Sequence, residues 1–466
     1  MTMTSFDPQH VAGWTGGSWF NEPNVAIEGF CFDARQIKPG QCFIALKISA
    51  RDGHEFLEQA VRGGAVAAIV ENTKPIALPQ LKVSDSLVAL GAIGAALRSK
   101  FSKPVVGITG SCGKTSTKEM LRCLLGEDRT HATAGNWNNR IGVPMTLSGL
   151  DSNQQDFGVI EAGINQPDEM VQLGRMIQAD LNVLTNIEVA HLELLGSLEN
   201  IASEKSLLAQ HAKPDSPIIL HVDALRYHAY KKLAHRAIVL VPESATAPNL
   251  PSKQIVSYKV SEQMEDLGAT RAVQASQQVT IDGQHYPSAS PSEGIATNTA
   301  LAIVAAKYLG IVDSDIRKRV EAWRPSDNRG CIETFGEQTF YIDCYNANPS
   351  SMADALDAFE RSTPQNIARF YILGAMDELG TNAPAQHEAI GHLLKLRPED
   401  RVAFVGSTAT TKAYASAISP QQCICTDSVE KIKSTIAQFE GAIFLKGSRN
   451  YSLEKLLPST NLNLNP

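Results

Sequence analysis

The run Val105-Val-Gly-Ile-Thr-Gly-Ser-Cys-Gly-Lys-Thr-Ser-Thr117 sets an apolar tetrad, Val105 to Ile108, directly before a turn of small residues. The tetrad reads as a buried strand, and Lys118 to Leu125 carries the apolar spacing of a helix. Strand, glycine-rich turn and helix, in that order, are the setting in which a chain binds phosphate. Gly110 and Gly113 let the backbone curl until its N–H groups converge on an anion. The helix start adds its positive dipole end at the same point. Thr109, Ser111, Cys112 and Ser116 complete the loop. Lys114 is placed to reach the outer phosphates, and the Thr115 hydroxyl to sit on a magnesium ion. The general phosphate-loop pattern has a further glycine where this chain has Ile108, so the loop here is the tighter Thr109-Gly110-x-x-Gly113-Lys114-Thr115. The competing reading is an ordinary strand-to-helix turn that holds a lysine. The glycines, the Lys-Thr pair and the flanking elements together favour phosphate.

The whole chain sets bounds around that loop. A length of 466 residues is too great for one core and predicts about three domains. With 43% hydrophobic and 20% charged residues the composition is that of a soluble globular protein. There are 42 basic and 49 acidic residues, a net charge of -7, and no basic block, so nucleic acid is not an expected partner. No apolar stretch of about 20 residues exists to span a membrane. Met1 to Pro8 lacks the basic and apolar regions of a secretory signal. The eight cysteines are scattered, with only Cys423 and Cys425 close, and they read as buried free thiols in a reducing cytoplasm.

Three units follow along the chain. Residues 1–101 are small α/β material, with strands at 42–46 and 66–70 and helices at 55–62 and 87–100. Residues 102–325 alternate strands, at 157–160, 182–185, 217–220 and 237–241, with helices at 200–210 and 295–309. Short apolar runs of this kind are strands buried on both faces of a mostly parallel sheet. Residues 242–293 break the rhythm and predict an irregular or antiparallel excursion. Residues 326–466 form a second, smaller α/β sheet, with strands at 339–342, 368–373, 402–405 and 443–445.

The chemistry-bearing residues sit where strands end, which is where open α/β sheets bind ligands. Glu161 follows a strand and is placed to hold a cation; the alternative is a carboxylate satisfying helix-start N–H groups. His191 closes the next strand region, and is either a ligand or a structural histidine. Lys205 lies fourteen residues further on, and by residue type alone it is a solvated face residue or a partner for Glu204 or Glu199. In the third unit Asp343-Cys-Tyr-Asn-Ala-Asn-Pro349, Leu373 to Gly380 and Lys446-Gly-Ser-Arg449 all follow strands. Ordinary turn chemistry accounts for such residues equally well.

Taken together, these motifs resemble the Mur ligases, amide-forming ATPases of bacterial cell-wall synthesis. The resemblance covers nearly the whole chain. It rests on Asp33-x-Arg35, Asp52-Gly53-His54, the phosphate loop, Asn138-Asn139-x-Ile-Gly-Val-Pro144, Glu161-x-Gly163, Thr185-Asn186, Ala190-His191-Leu192-Glu193 and Lys205. In the last unit it rests on Tyr345-Asn-Ala-Asn-Pro-x-Ser-Met352, Glu378-Leu-Gly380 and Lys446-Gly-Ser-Arg449. The last unit's motifs are most similar to the branch that adds D-alanyl-D-alanine, and an Asp-Asn-Pro-Arg motif of the diaminopimelate-adding branch is not found. The resemblance implies an N-terminal UDP-substrate domain, a central phosphate-loop ATPase domain and a C-terminal Rossmann-like domain. It implies ATP-dependent joining of D-alanyl-D-alanine to UDP-N-acetylmuramoyl-tripeptide through an acyl phosphate, by a cytoplasmic monomer. It also implies Mg2+ held by Thr115, Glu161 and His191, with Lys205 carbamylated to support a second ion. Lys114, His191 and Lys205 are then catalytic. Asn298 matches an asparagine near the adenine, Arg329 an arginine that reaches the nucleotide, and Asp343 an aspartate on the nucleotide side. Three positions depart from the family pattern. Ala34 replaces a serine of the UDP pocket, Gly294-Ile295 a His-Asn pair, and Ala375 an aspartate. The rivals are another amide ligase of the superfamily, adding a different amino acid or acting on folate, and a phosphate-loop ATPase used as a switch or binding module.

Overall fold

The computed structural model describes residues 5–48, 51–164, 166–189, 195–249, 251–263, 276–288, 290–325 and 328–458. It is an α/β protein throughout. Two compact units are formed. One comprises Met1–Thr109, Leu125–Val183 and Glu204–Ile218, the other Gly110–Leu124, Leu184–Ser203 and Ile219–Pro466.

The first unit opens with a five-stranded sheet. Its spatial order is Ser18–Phe20, Gln80–Lys82, Ala67–Val70, Cys42–Ile44, Phe30–Cys31. All its pairs are parallel except the first. Helix Ser86–Lys100 covers one face, burying Leu90, Ile93 and Leu97 against Ile44, Ile69 and Leu81. That helix starts where it does because Asp85 accepts hydrogen bonds from the N–H groups of Leu87 and Val88. The turn Asp52-Gly53-His54 is structural here. Asp52 takes the His54 Nδ1 proton at 2.6 Å, which leaves His54 Nε2 to accept from Glu71 N at 2.9 Å.

The same unit holds four neighbouring strands in the order Leu181–Leu184, Val105–Thr109, Phe157–Glu161, Thr130–Ala132. Every residue of Val105–Thr109 is buried, as its unbroken apolar run requires. Arg98, at the end of helix Ser86–Lys100, is buried beside it. Its guanidinium donates to Ile177 O, Gln178 O and Asp180 Oδ2, and Asp180 Oδ2 also accepts from Val105 N. One paired guanidinium thus anchors the five-stranded sheet's helix beside the next strand set.

In the second unit, five neighbouring strands run in the order Ile218–His221, Ala237–Pro242, Gln254–Gln263, Ser276–Ile281, Gln284–Ser288. Among the described residues of the excursion at 242–293, the strands Gln254–Gln263, Ser276–Ile281 and Gln284–Ser288 pair first parallel and then twice antiparallel, as its antiparallel reading expects. Asp282 and Gly283, both at positive φ, make the two-residue hairpin between the last two strands. The Asp-Gly pair carries that signal in the sequence. A six-stranded sheet follows, in the order Cys331–Phe335, Gln338–Asp343, Gly441–Lys446, Arg369–Gly374, Arg401–Val405, Cys423–Thr426. Its edge strands, at 331–335 and 423–426, have no apolar run to announce them, because an edge strand is half solvated. One face packs the rings of Tyr341, Phe359, Tyr371 and Phe444 together. The expectation of buried thiols holds for Cys42 and Cys344 but not for Cys425, which is exposed on the last edge strand. Helices at Gly142–Ser148, Glu169–Ile177 and Asp313–Ala322 are further elements that the apolar spacing did not reveal.

Asp400 enters the strand Arg401–Val405 with 1% of its surface exposed. Its two oxygens accept from the guanidinium and N–H groups of both Arg369 and Arg397. Burial pushes its carboxyl up, but these hydrogen bonds outweigh burial and hold it at about 2. Breaking such a pair leaves buried guanidinium charge uncompensated. Asp400→Asn should therefore cost about 3 kcal/mol at neutral pH, read as a lower urea midpoint. The folded carboxyl lies below its ordinary 3.8, so the stabilisation is present above about pH 4 and lost as pH falls towards 2. Stability curves should show the wild type losing this margin on acidification and the variant lacking it throughout.

Candidate functional site

The phosphate-loop candidate begins where the strand Val105–Thr109 ends and closes into helix Lys114–Leu125. The helix starts four residues earlier than its apolar spacing implied, at Lys114 itself. Gly110 and Gly113 adopt φ of +153° and +76°, backbone that side chains rarely tolerate. A Cβ on Gly110 would lie 1.8 Å from Thr185 Oγ1, and one on Gly113 would lie 2.3 Å from the Asn298 amide. The turn is therefore glycine for two reasons at once, conformation and close approach.

Side chains from the next strand end hold it. Cys112 N donates to Asn186 Oδ1 at 2.9 Å, and Thr185 Oγ1 donates to Cys112 O. Ser111 Oγ donates to Glu188 O and accepts from Glu188 N. The Lys114 amine arches over the turn, 2.8 Å from Gly110 O and 3.3 Å from Ser111 O. That keeps a positive charge at the centre of the loop. Thr115 is buried, Ser116 is half-buried, and the buried Thr109 donates its hydroxyl to Ala162 O. Thr185, Asn186 and Glu188 are thus part of the loop's scaffold, which the sequence motif Thr-Asn after a strand marks only in retrospect.

Glu161, at the end of strand Phe157–Glu161, is 1% exposed. Its Oε1 accepts from Asn138 Nδ2 at 2.7 Å, and its Oε2 is buried without a hydrogen-bond partner among the described residues. A carboxylate oxygen left this way costs free energy unless something positive meets it. A helix-start role for Glu161 finds no support, since Asn138 takes the one bonded oxygen. Lys205, on helix Leu198–Gln210, is 1% exposed, so the solvated-face reading is replaced by a fully buried one. The open carboxylate oxygen of Glu161 is the kind of hard oxygen donor that magnesium prefers. His191 lies outside the described residues.

The C-terminal motifs gather in space. The Arg329 guanidinium lies 3.6 Å above the Tyr345 ring, and the Arg449 guanidinium 5.3 Å from the same ring. Asp343 pairs with the buried Lys446 at 2.5 Å. Gly374 and Gly447 backbones touch, with Ser448 N donating to Ala375 O and Ser448 Oγ accepting from Asp377 N. Ala375 is buried, so the carboxylate that the family pattern carries there is replaced by packing. The Asn348 amide reaches Cys112 Sγ in the phosphate turn. Burial pushes the Cys112 thiol up, and the Asn348 contact and the charges of Lys114 and Lys446 pull it back. Lys446 and the phosphate turn therefore share one electrostatic environment. In the first unit Arg35 grips Asp33 through two parallel hydrogen bonds, and Ala34 between them is buried.

The Mur ligase middle domain model matches residues 108–306, and the Mur ligase, glutamate ligase domain model matches residues 331–449. A protein of Escherichia coli (strain K12) named UDP-N-acetylmuramoyl-tripeptide--D-alanyl-D-alanine ligase is 29% identical over 448 residues, 93% of this chain and 94% of its own. A Bacillus subtilis (strain 168) protein of the same name is 28% identical over 445 residues, 93% of each chain. The crystal structure of MurF from Acinetobacter baumannii superposes with a TM-score of 0.82 at 26% identity, over 98% of both chains. The two family models together match well over half of this chain, which belongs to the Mur ligase family.

Proposed function

We propose that this chain is an ATP-dependent ligase that joins D-alanyl-D-alanine to UDP-N-acetylmuramoyl-tripeptide in peptidoglycan precursor synthesis. What carries the reading is the agreement along more than nine-tenths of both chains with relatives bearing that name. The glycine turn under Lys114 and the arginine-rich cluster around Tyr345 support it chemically. The terminal carboxylate of the tripeptide attacks the γ-phosphorus of ATP, and ADP leaves. The amine of D-alanyl-D-alanine then attacks the acyl carbon, loses its proton, and inorganic phosphate departs.

Each residue has a task in that sequence. The N–H groups at the start of helix Lys114–Leu125 would hold the phosphates, those of Ser111 and Cys112 being donated to Asn186, and Lys114 offsets the charge that spreads over the transferred phosphoryl group. Asn298 lies against the turn and reads the adenine side. Arg329 and Asp343 would face the nucleotide from the side of the six-stranded sheet. Thr115, Glu161, His191 and Lys205 as a carbamate would hold Mg2+, which supplies charge neutralisation to phosphoryl transfer when bound. Exclusion of water protects the acyl phosphate from hydrolysis. Residues 1–101 form the UDP-substrate domain, 102–325 the ATPase domain and 326–466 the Rossmann-like domain that takes the dipeptide. A cytoplasmic monomer goes with this reading; among the described residues no helix is long and apolar enough to cross a membrane.

Three outcomes test the assignment. Mass spectrometry of a mixture with UDP-N-acetylmuramoyl-tripeptide, D-alanyl-D-alanine and ATP should show the amide product, with phosphate release that depends on the dipeptide. Phosphate release without any acceptor requirement would instead mean a switch or binding ATPase. Lys114→Ala should lower turnover by at least 100-fold with an unchanged melting temperature; near wild-type turnover would remove the phosphate-loop role. Lys205→Ala should lose activity and regain part of it in formate or acetate, which replace the carbamate oxygens. Lys205→Arg should stay inactive, because it keeps the charge and cannot be carbamylated, so an active Lys205→Arg enzyme would end the carbamate reading.

A further inference from the structure

Helix Pro349–Ser362 is gripped at three points along its length. At its start, Asn348 caps it by accepting from Ser351 N at 2.9 Å, and the same side chain extends its amide to Cys112 in the phosphate turn. Two turns further, the Asp354 carboxylate meets the start of helix Glu293–Tyr308. Asp354 Oδ2 accepts from Ser292 Oγ at 2.5 Å, and Oδ1 accepts from Gly294 N at 3.2 Å. Seven residues on, hence on the same face, Arg361 donates to Pro291 O at 3.1 Å and pairs with Glu262.

The middle contact is built for this role. Ser292 is the N-cap of helix Glu293–Tyr308, accepting from Ile295 N at 3.0 Å, so its hydroxyl proton is free to go to Asp354. Burial pushes the Asp354 carboxyl up, and the Ser292 and Gly294 bonds pull it back. A buried carboxylate is tolerable only with such partners. A Cβ on Gly294 would lie 3.1 Å from Asp354 Oδ2. The departure from the family's His-Asn pair therefore has a local reason: the carboxylate occupies the space beside residue 294.

These contacts close a triangle. Helix Glu293–Tyr308 carries Asn298 to the Gly113 corner of the turn. Helix Pro349–Ser362 brings Asn348 to the Cys112 corner. Asp354 ties the two helices to each other.

We infer that Asp354 is a positioning residue for ligation: acting through Asn298 and Asn348, it sets the register of helix Pro349–Ser362 on the nucleotide turn. The inference rests on the ligase reading for its turnover readout alone. Removing the tie lets either asparagine leave the turn, so nucleotide affinity and turnover fall together. On the proposed reading the UDP-substrate is bound by residues 1–101, which the triangle does not include.

The test is a double-mutant cycle on the full-length protein with Asp354→Ala and Ser292→Ala. Each single variant should weaken ADP binding at least fivefold and lower kcat at least tenfold. The KM for UDP-N-acetylmuramoyl-tripeptide should stay within twofold. The double variant should lose less than the two single losses combined, because both singles remove the shared Ser292–Asp354 contact. Additive losses, or an unchanged ADP affinity in Asp354→Ala, would overturn the inference. Gly294→Ala guards against misfolding of the buried variants. A structural role alone predicts that it is neutral or stabilising, since alanine favours a helix over glycine. The tie predicts weaker ADP binding and slower turnover at an unchanged or raised melting temperature, and wild-type values for both would sink it. ADP titration needs no acceptor, so a wild-type protein that binds ADP but makes no dipeptide product counts against the ligase reading and leaves the triangle to be judged on affinity.

Discussion

The phosphate turn has no room for a side chain at residues 110 and 113, and the surrounding structure is arranged to keep it so. Thr185 and Asn298 fill the space that two Cβ atoms would need. Thr185 and Asn186 take the carbonyl and N–H of Cys112, so the backbone between the glycines has its polar groups assigned. A turn held this way keeps the first N–H groups of helix Lys114–Leu125 in place without reorganising. That preorganisation is what electrostatic stabilisation of a transferred phosphoryl group needs.

Buried charge divides the remaining polar residues by purpose. Asp400 is satisfied on both oxygens by two arginines, and Arg98 by three carbonyls and a carboxylate; these are structural devices that give rigidity at strand ends. Glu161 is different. One oxygen is bonded and the other is buried without a partner, a cost that a structural residue has no cause to carry. Lys205 is equally buried and sits next in sequence to Glu204, which itself takes Met170 N. The same burial that strengthens Asp400 makes Glu161 and Lys205 candidates for metal chemistry.

The Asp354 contact joins these two themes. It is a buried carboxylate satisfied like Asp400, yet its partners lie on the helix that carries Asn298. The residues around Tyr345 follow the same logic on a looser scale. Two guanidiniums lie over the Tyr345 ring, which holds them near each other.

Much of this was legible in the chain. Apolar tetrads mark fully buried strands because both faces are covered, and the glycine-lysine-threonine turn is local chemistry that needs only the residues next to it. The α/β class, the glycine turn between strand Val105–Thr109 and helix Lys114–Leu125, and the strand-end location of Glu161 followed from those local rules. The edge strands at 331–335 and 423–426 did not, since half-solvated strands carry no continuous apolar signal. Nor did the burial of Lys205, because a lysine's surroundings are set by residues far along the chain. The partnership of Asp354 with Ser292 spans 62 residues, and that of Asn348 with Cys112 spans 236. Local periodicity reports which face of an element is apolar; only the folded chain decides which distant polar group meets it there.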